Sequence, residues 1–222
     1  MQQLMFTLHH PTSSNFDPHA EYPHLFQGLG NMNKPYTIQI DSSVKPTRIY
    51  APRKIPHPLV PKAKEEIERM LEQQFISPST EPTQWCSGIF VIPKPNGNVR
   101  ICVDLTNLNK AVKREIHPMA SVDKSLAKLD GSKIFSKLDA NNGFHQIPLS
   151  EESRPYTCFV TPFGRYVFNQ LPFGISSASE IFQHQMSKIL LDLPGLICHM
   201  DNILVHAADK STHDHCLKQV LQ

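Results

Sequence analysis

Two apolar, β-rich runs at residues 88–93 and 99–104 are joined by Lys94-Pro-Asn-Gly-Asn98, and Asn-Gly between such runs specifies a tight hairpin. This part of the chain is therefore committed to antiparallel pairing. Side chains alternate along a strand, so Val99, Ile101 and Val103 share one face of the second run and Arg100 falls on the other. A second hairpin is expected near the end, with residues 196–198 and 203–207 as strands and His199-Met-Asp-Asn202 at the bend.

The other elements are read from periodicity and punctuation. Residues 1–56 carry Pro, Asn and His punctuation with one short alternating run at 36–40, which predicts an extended arm or linker with one strand. After Pro61, Ile67, Met70, Leu71 and Phe75 recur at helical spacing behind Glu65 and Glu66, predicting an amphipathic helix that ends before Pro78. Ser121 is a cap for a short helix whose buried face is Val122, Leu126 and Leu129, with Gly131 as its stop. A strand at 133–139 ends in an Asn-Asn-Gly turn, and strand-like runs at 156–160 and 165–171 flank Pro162-Phe-Gly164. Ile181, Phe182, Met186, Ile189, Leu190 and Leu193 mark a long helix ended by Pro194-Gly195, and a helical pattern closes the chain over 213–221.

Bulk charge narrows little, because 22 Lys and Arg face 20 Asp and Glu, so any basic surface must be local. The five cysteines are scattered, with no C-x-x-C pair, as reduced thiols of an intracellular protein would be. No apolar run approaches the ~20 residues of a membrane span. A cytoplasmic or nuclear location away from membranes is expected, and the oligomeric state is left open.

Two acidic residues sit where apolar strands end or bend, Asp139 and Asp201. Either one alone is more often a turn former or a helix cap than a metal ligand. His213-x-His215-Cys216, close in sequence to Cys198 and His199, fits no standard zinc spacing.

Motif order changes the weighing of the aspartates. Phe135-Ser-Lys-Leu-Asp139-Ala-Asn-Asn-Gly-Phe144-His-Gln-Ile147, then Leu171-Pro-Phe-Gly174 before a helix with Phe182-Gln183, then His199-Met-Asp-Asn202, closely resembles the reverse transcriptases of gypsy-class long-terminal-repeat retrotransposons. The hairpin Val91-Ile-Pro-Lys-Pro-Asn-Gly97, Arg100-Ile-Cys-Val-Asp104 and Leu108-Asn-Lys110 resembles the same family's fingers. Upstream, Leu25-Phe-Gln-Gly-Leu-Gly30 and Ala51-Pro-Arg53 resemble the segment joining protease to polymerase in such polyproteins.

The resemblance implies a mixed α/β (α+β) right-hand polymerase fold. Residues 57–113 and 147–177 would be fingers, and 114–146 and 178–222 a truncated palm with an antiparallel sheet. The implied activity is RNA-directed DNA polymerisation, with an RNA or DNA template-primer and deoxynucleoside triphosphates as partners and two Mg²⁺ ions, or Mn²⁺, as cofactors. Asp139 and Asp201 would be the catalytic ligands, with the Ala140 carbonyl on the nucleotide-side ion and Asn202 beside them; hard cations take such oxygen donors. Lys94 and Arg100 would grip the triphosphate, Phe144 would be the steric gate against a ribose 2′-hydroxyl, Phe173 and Gly174 would lie against the nucleotide or template, and Gln183 would face the template.

Several positions depart from the family pattern. Asn202 stands where a second aspartate is usual and brings no negative charge, although some viral RNA polymerases carry Asp-Asn at this bend and remain active. His199 replaces the commoner Tyr, Thr106 stands in place of Arg, and Ser179 in place of Pro. The chain stops soon after the Asp201 hairpin, so thumb, connection and RNase H are expected to be missing. Two readings follow: a polymerase fragment impaired by Asn202 and truncation, or an inactive retroelement remnant acting at most as a nucleic-acid-binding module.

Overall fold

The computed structural model describes residues 4–9, 16–115 and 126–222. The chain divides into two compact units, Met1–Met32 with Glu115–Gln146 and Ser179–Gln222, and Asn33–Arg114 with Ile147–Ala178. Each unit is built on its own β structure.

The first unit holds a four-stranded antiparallel sheet made of β1 (Phe6–His9), β5 (Ile134–Ala140), β8 (Leu196–His199) and β9 (Asn202–Ala207), in the order β1-β5-β9-β8. Alternation gives the sheet a dry face and a wet face. Phe6, Ser136, Leu138, Ala140, Ile203 and Val205 are buried on one side, while Phe135, Lys137 and Asp139 point to the other. Helix α5 (Lys210–Leu221) packs on β9 and β5 through Cys216, Leu217 and Leu221. Asp209 caps it, accepting from the Thr212 amide at 3.0 Å. Helix α4 (Ala178–Ile189) buries Ile181, Phe182 and Met186, and a short helix α1 (Pro18–Glu21) precedes both.

The leading segment therefore differs from a bare arm. Phe6–His9 forms a strand whose register sets Thr7 opposite Asp139 and Leu8 opposite Leu138. Nothing local in four residues specifies that strand; the open edge of β5 does, by supplying hydrogen-bond partners that the segment otherwise lacks. Residues 36–40, expected as a strand, make only the isolated bridges Tyr36 to Leu149 and Ile40 to Val112.

The second unit opens with α2 (Val60–Glu72), which buries Ala63, Ile67 and Met70, with Pro61 in its first turn. Gln74 takes a left-handed φ of 58° and turns the chain into β2 (Ile76–Pro78). That strand joins β7 (Gly164–Phe168) and β6 (Phe159–Thr161) in a three-stranded sheet, order β2-β7-β6. The expected hairpin is a separate two-stranded ribbon of β3 (Ile89–Pro93) and β4 (Val99–Val103), and a short helix α3 (Thr106–Asn109) follows it. Tyr156, expected in a strand, sits in a 3₁₀ turn at Arg154–Thr157, because Pro155 fixes its φ at the turn start and the Tyr156 amide bonds back to Ser153 at 3.1 Å. The helix expected from Ser121 and Val122 lies outside the described residues; Leu126 is exposed and Leu129 half-buried.

Candidate active site

In the first unit the strand register brings the acidic residues together. Asp139, near the end of β5, pairs with Asn202 at the start of β9, and the Ala140 amide donates to the Asp201 carbonyl at 2.7 Å. Asp139 thus lies near the end of β5 and Asp201 in the bend that joins β8 to β9, at the same end of the sheet. The Asp139 carboxylate is 39% exposed and stands 3.5 Å from the Lys137 ammonium on the same face. The Asn202 side-chain amide donates to the Asp201 carboxylate at 2.9 Å, while its own oxygen is buried and accepts no hydrogen bond among the described residues. Two carboxylates and an unspent amide oxygen are hard donors of the type that Mg²⁺ and Mn²⁺ take, so these residues fit such a cation. Among the described residues there is no group of three or more His, Cys, Asp and Glu side chains able to hold a metal, so substrate oxygens would have to complete the coordination.

The bend itself is a two-residue loop, Met200-Asp201, because His199 pairs with Asn202. Met200 adopts φ 52°, a left-handed conformation unfavourable for a side chain of its size. Gln183 supplies the compensation. Expected to face a template strand, it is only 7% exposed; it accepts from the Met200 amide at 2.7 Å and approaches the Cys198 carbonyl at 3.4 Å. Burial pushes the Cys198 thiol up to about 11, with the nearby Asp201 charge adding to the rise.

Phe144 follows the strand in a 3₁₀ turn, Gly143–Gln146, half-buried and edge-on to Phe182 with ring centroids 5.6 Å apart. Gly143 is required by space: a Cβ there would lie 2.9 Å from the Phe182 ring and 3.5 Å from the Asp201 Cβ. Fully buried Gln146 was not foreseen. It donates to the carbonyls of Met5 at 3.0 Å and Asn141 at 2.7 Å, tying the leading segment to the turn after Asp139. It falls within the motif ending at Ile147, but its bond to Met5, 141 positions away, leaves no trace in the sequence.

The second unit carries the remaining residues. Arg100 is exposed and pairs across the ribbon with Ile92, and Lys94, half-buried, begins the turn in which its amide donates to the Asn98 carbonyl at 2.7 Å. Phe173 is 55% exposed. Gly174 is explained by its φ of 99° rather than by crowding, for a Cβ there would meet nothing nearer than 3.8 Å. Asn109, also unforeseen, donates to the Gly174 carbonyl at 2.7 Å and accepts from the Ser176 amide at 2.9 Å, fixing the Phe173-Gly174 segment from both sides. Thr106 takes up a local role at the position where Arg was expected: its hydroxyl donates to Asp104 at 2.7 Å. The histidine and cysteine cluster near the chain end makes no zinc site among the described residues; His213 is buried against Asp214 at 3.1 Å.

Residues 92–222 match the reverse transcriptase (RNA-dependent DNA polymerase) family. The retrovirus-related Pol polyprotein of transposon opus, from Drosophila melanogaster, is 32% identical over 212 residues, covering 91% of this chain and 21% of that protein. The Pol polyprotein of transposon gypsy, from the same species, is 33% identical over 71% of this chain and 16% of its own length. The transposon Tf2-7 polyprotein of Schizosaccharomyces pombe is 36% identical over 71% of this chain and 12% of its own. Among solved structures, prototype foamy virus protease-reverse transcriptase superposes with a TM-score of 0.81 at 23% identity, over 92% of this chain and 28% of that one.

The chain belongs to the reverse transcriptase family and has the palm and fingers fold of the right-hand polymerases. It is a reverse transcriptase domain of the retrotransposon Pol type, spanning about a fifth or less of the polyproteins it matches. No helix among the described residues is long and apolar enough to cross a membrane.

Proposed function

We propose that the chain performs, or descends from a domain that performed, RNA-directed DNA polymerisation by in-line nucleotidyl transfer on a template-primer, with deoxynucleoside triphosphates as substrates. The observation that carries this reading is the placement of Asp139 near the end of β5 beside Asp201 in the adjoining β8–β9 bend, with Asn202 in register with Asp139. Asp139, Asp201 and the Ala140 carbonyl would hold Mg²⁺ or Mn²⁺, which would supply stabilisation of the attacking and leaving oxygens.

The chain's own residues do the rest. Lys94 and Arg100 present cations to the triphosphate, Phe173 and Gly174 contribute a surface and backbone for the nucleotide, and Phe144 limits room at the ribose 2′ position. Gln183 acts through the bend, holding the Met200 amide so that Asp201 keeps its direction; it is a positioning residue. On this reading, residues 57–113 with 147–177 are fingers and 114–146 with 178–222 are palm, working in the cytoplasm or nucleus.

Asn202 favours a second reading, an inactive remnant that binds nucleic acid at most. Its amide contacts Asp201 where a second carboxylate would contribute charge. Primer extension on an RNA template with Mg²⁺ or Mn²⁺ separates the two, run on this chain, on Asn202→Asp, and on a chain extended through a thumb. Mn²⁺ binding followed by paramagnetic resonance, with Asp139→Asn as control, reads the site independently of turnover. We expect Asp139→Asn to abolish Mn²⁺ binding and Asn202→Asp to raise extension. Mn²⁺ binding that is indifferent to both Asp139→Asn and Asp201→Asn would sink the metal-site assignment.

A further inference from the structure

Cys86 and Cys158 take no part in the polymerase reading, yet they are the one pair of cysteines in thiol contact among the described residues. Their sulfurs lie 3.9 Å apart, 72 positions apart in sequence, and both residues are buried. Both belong to the unit of residues Asn33–Arg114 and Ile147–Ala178. The backbone explains the approach. The Ser87 amide donates to the Cys158 carbonyl at 2.8 Å, the Val160 amide donates to the Ser87 carbonyl at 2.9 Å, and Ser87 bridges Phe159 in parallel. Neighbouring extended segments lie ~4.8 Å apart, inside the Cα separation of ~4.4–6.8 Å that a disulfide spans. The two backbones are thus close enough for a disulfide, and the sulfurs are already in contact.

We propose that Cys86 and Cys158 are a redox modification site that forms a reversible intrachain disulfide on reaction with a hydroperoxide. The two thiols are unequal. Cys158 is held below the ordinary thiol value, chiefly by its hydrogen bond with Cys86, whereas the same bond and then burial push Cys86 up. In this proposal Cys158 is the thiolate that reacts first, and substituting each cysteine in turn tests that order. The Cys158 sulfur attacks a peroxide oxygen and the O–O bond breaks, which leaves Cys158 sulfenic acid and, when the oxidant is hydrogen peroxide, hydroxide, which takes up the proton the thiol lost and leaves as water. Cys86 gives up its proton and attacks the sulfenic sulfur; the S–S bond forms as the S–O bond breaks, and a second water leaves. Two thiols lose two electrons and one peroxide gains them.

The surroundings set which oxidant reaches the pair. Ile49 and Val167 pack against the cluster of Cys86, Cys158 and Val160. Cys86 is strapped by Thr47 and Ile49, its amide donating to the Thr47 carbonyl at 3.1 Å and its carbonyl accepting from the Ile49 amide at 2.9 Å. With both thiols this deeply buried, the oxidant proposed is a small uncharged hydroperoxide. The bond would tie the chain just before β3 to the approach to β6, and constraining so long a loop raises thermal stability.

The whole chain, folded and reduced, is treated with hydrogen peroxide, unfolded in alkylating agent and mapped by mass spectrometry. We expect the mass of two hydrogens to be lost, two of the five free thiols to become unalkylatable, a peptide containing Cys86 to be linked to one containing Cys158, full reversal by dithiothreitol, and a higher Tm when oxidised. Cys86→Ser should leave a sulfenic acid at Cys158 that dimedone traps, and Cys158→Ser should leave Cys86 unreacted at the same dose. Five alkylatable thiols after treatment, or a linkage mapped to any other pair, would overturn the proposal. The wild-type map decides this even if a variant fails to fold. None of these readouts involves polymerisation, so the result is independent of the function proposed above.

Discussion

The β8–β9 hairpin and the β3–β4 hairpin are two ribbons of similar length with opposite construction. The first is the edge of a four-stranded sheet, with Ile203 and Val205 fully buried and its bend anchored by Gln183. The second is a sheet of two strands in which only Ile89 and Val99 are deeply buried, while Phe90 and Ile92 are each 49% exposed. Its turn is shaped by Gly97 at φ 83° and held from α2 by the Lys62 ammonium, which donates to the Gly97 carbonyl at 2.6 Å. The difference teaches how each holds its bend: the first by burial and a side chain from α4, the second by few buried residues and by contacts at its surface. On the proposed function, the carboxylates need the firmer of the two supports.

The sharpest way to break this contrast is to remove equal bulk from each support. Phe182 is fully buried behind the turn that follows Asp139, and Phe182→Ala should cost about 3–5 kcal/mol of unfolding free energy in urea titration. Next in size is Gly143→Ala, which places a methyl 2.9 Å from that ring; overpacking of this kind costs about 1–3 kcal/mol. If Gly143→Ala proves neutral, the turn is looser than described and the rigid side of the comparison fails.

What could be read from the sequence was what is decided locally. The Asn-Gly hairpin, the His199-to-Asn202 bend and the strand ending near Asp139 all follow from alternation and turn chemistry within ten residues, and all three elements are present. Partnerships across the chain left no such trace. Phe6–His9 is a strand only because β5 has an edge for it, and β2 only because Ile76 meets Phe168. Gln183, expected to face a template, gives no sign in sequence of its bond to Met200, and Asn109 shows nothing of the Gly174 segment it holds. Side chains whose partners are distant backbone groups are the class that periodicity does not reveal.

Phe90→Ala tests the loose side. The ring is half exposed and its main partner is the Arg53 guanidinium, 4.0 Å from its centroid, so the expected cost is only about 0.5–1 kcal/mol. A cost matching that of Phe182→Ala would show that the ribbon is braced after all.

The smallest expected effect lies at the foot of the same ribbon, where Asp104 joins it to the chain before it. The Thr106 hydroxyl, and then Arg53 at 2.6 Å, hold the Asp104 carboxyl below its ordinary value of 3.8. A carboxylate with a lowered folded pKa contributes stability that is present above the unfolded value and is lost as pH falls through the folded one. The side chains of Arg53 and Asp104 are 37% and 24% exposed, so solvent screens the pair and the contribution stays at or under about 1 kcal/mol. Asp104→Asn should therefore lower Tm slightly at neutral pH, and the gap from wild type should close as pH drops below 3.8. Calorimetry across that range reads it directly. A gap that persists at low pH would mean that the substituted amide fails on shape rather than charge, and that the ribbon depends on this corner more than its exposure implies.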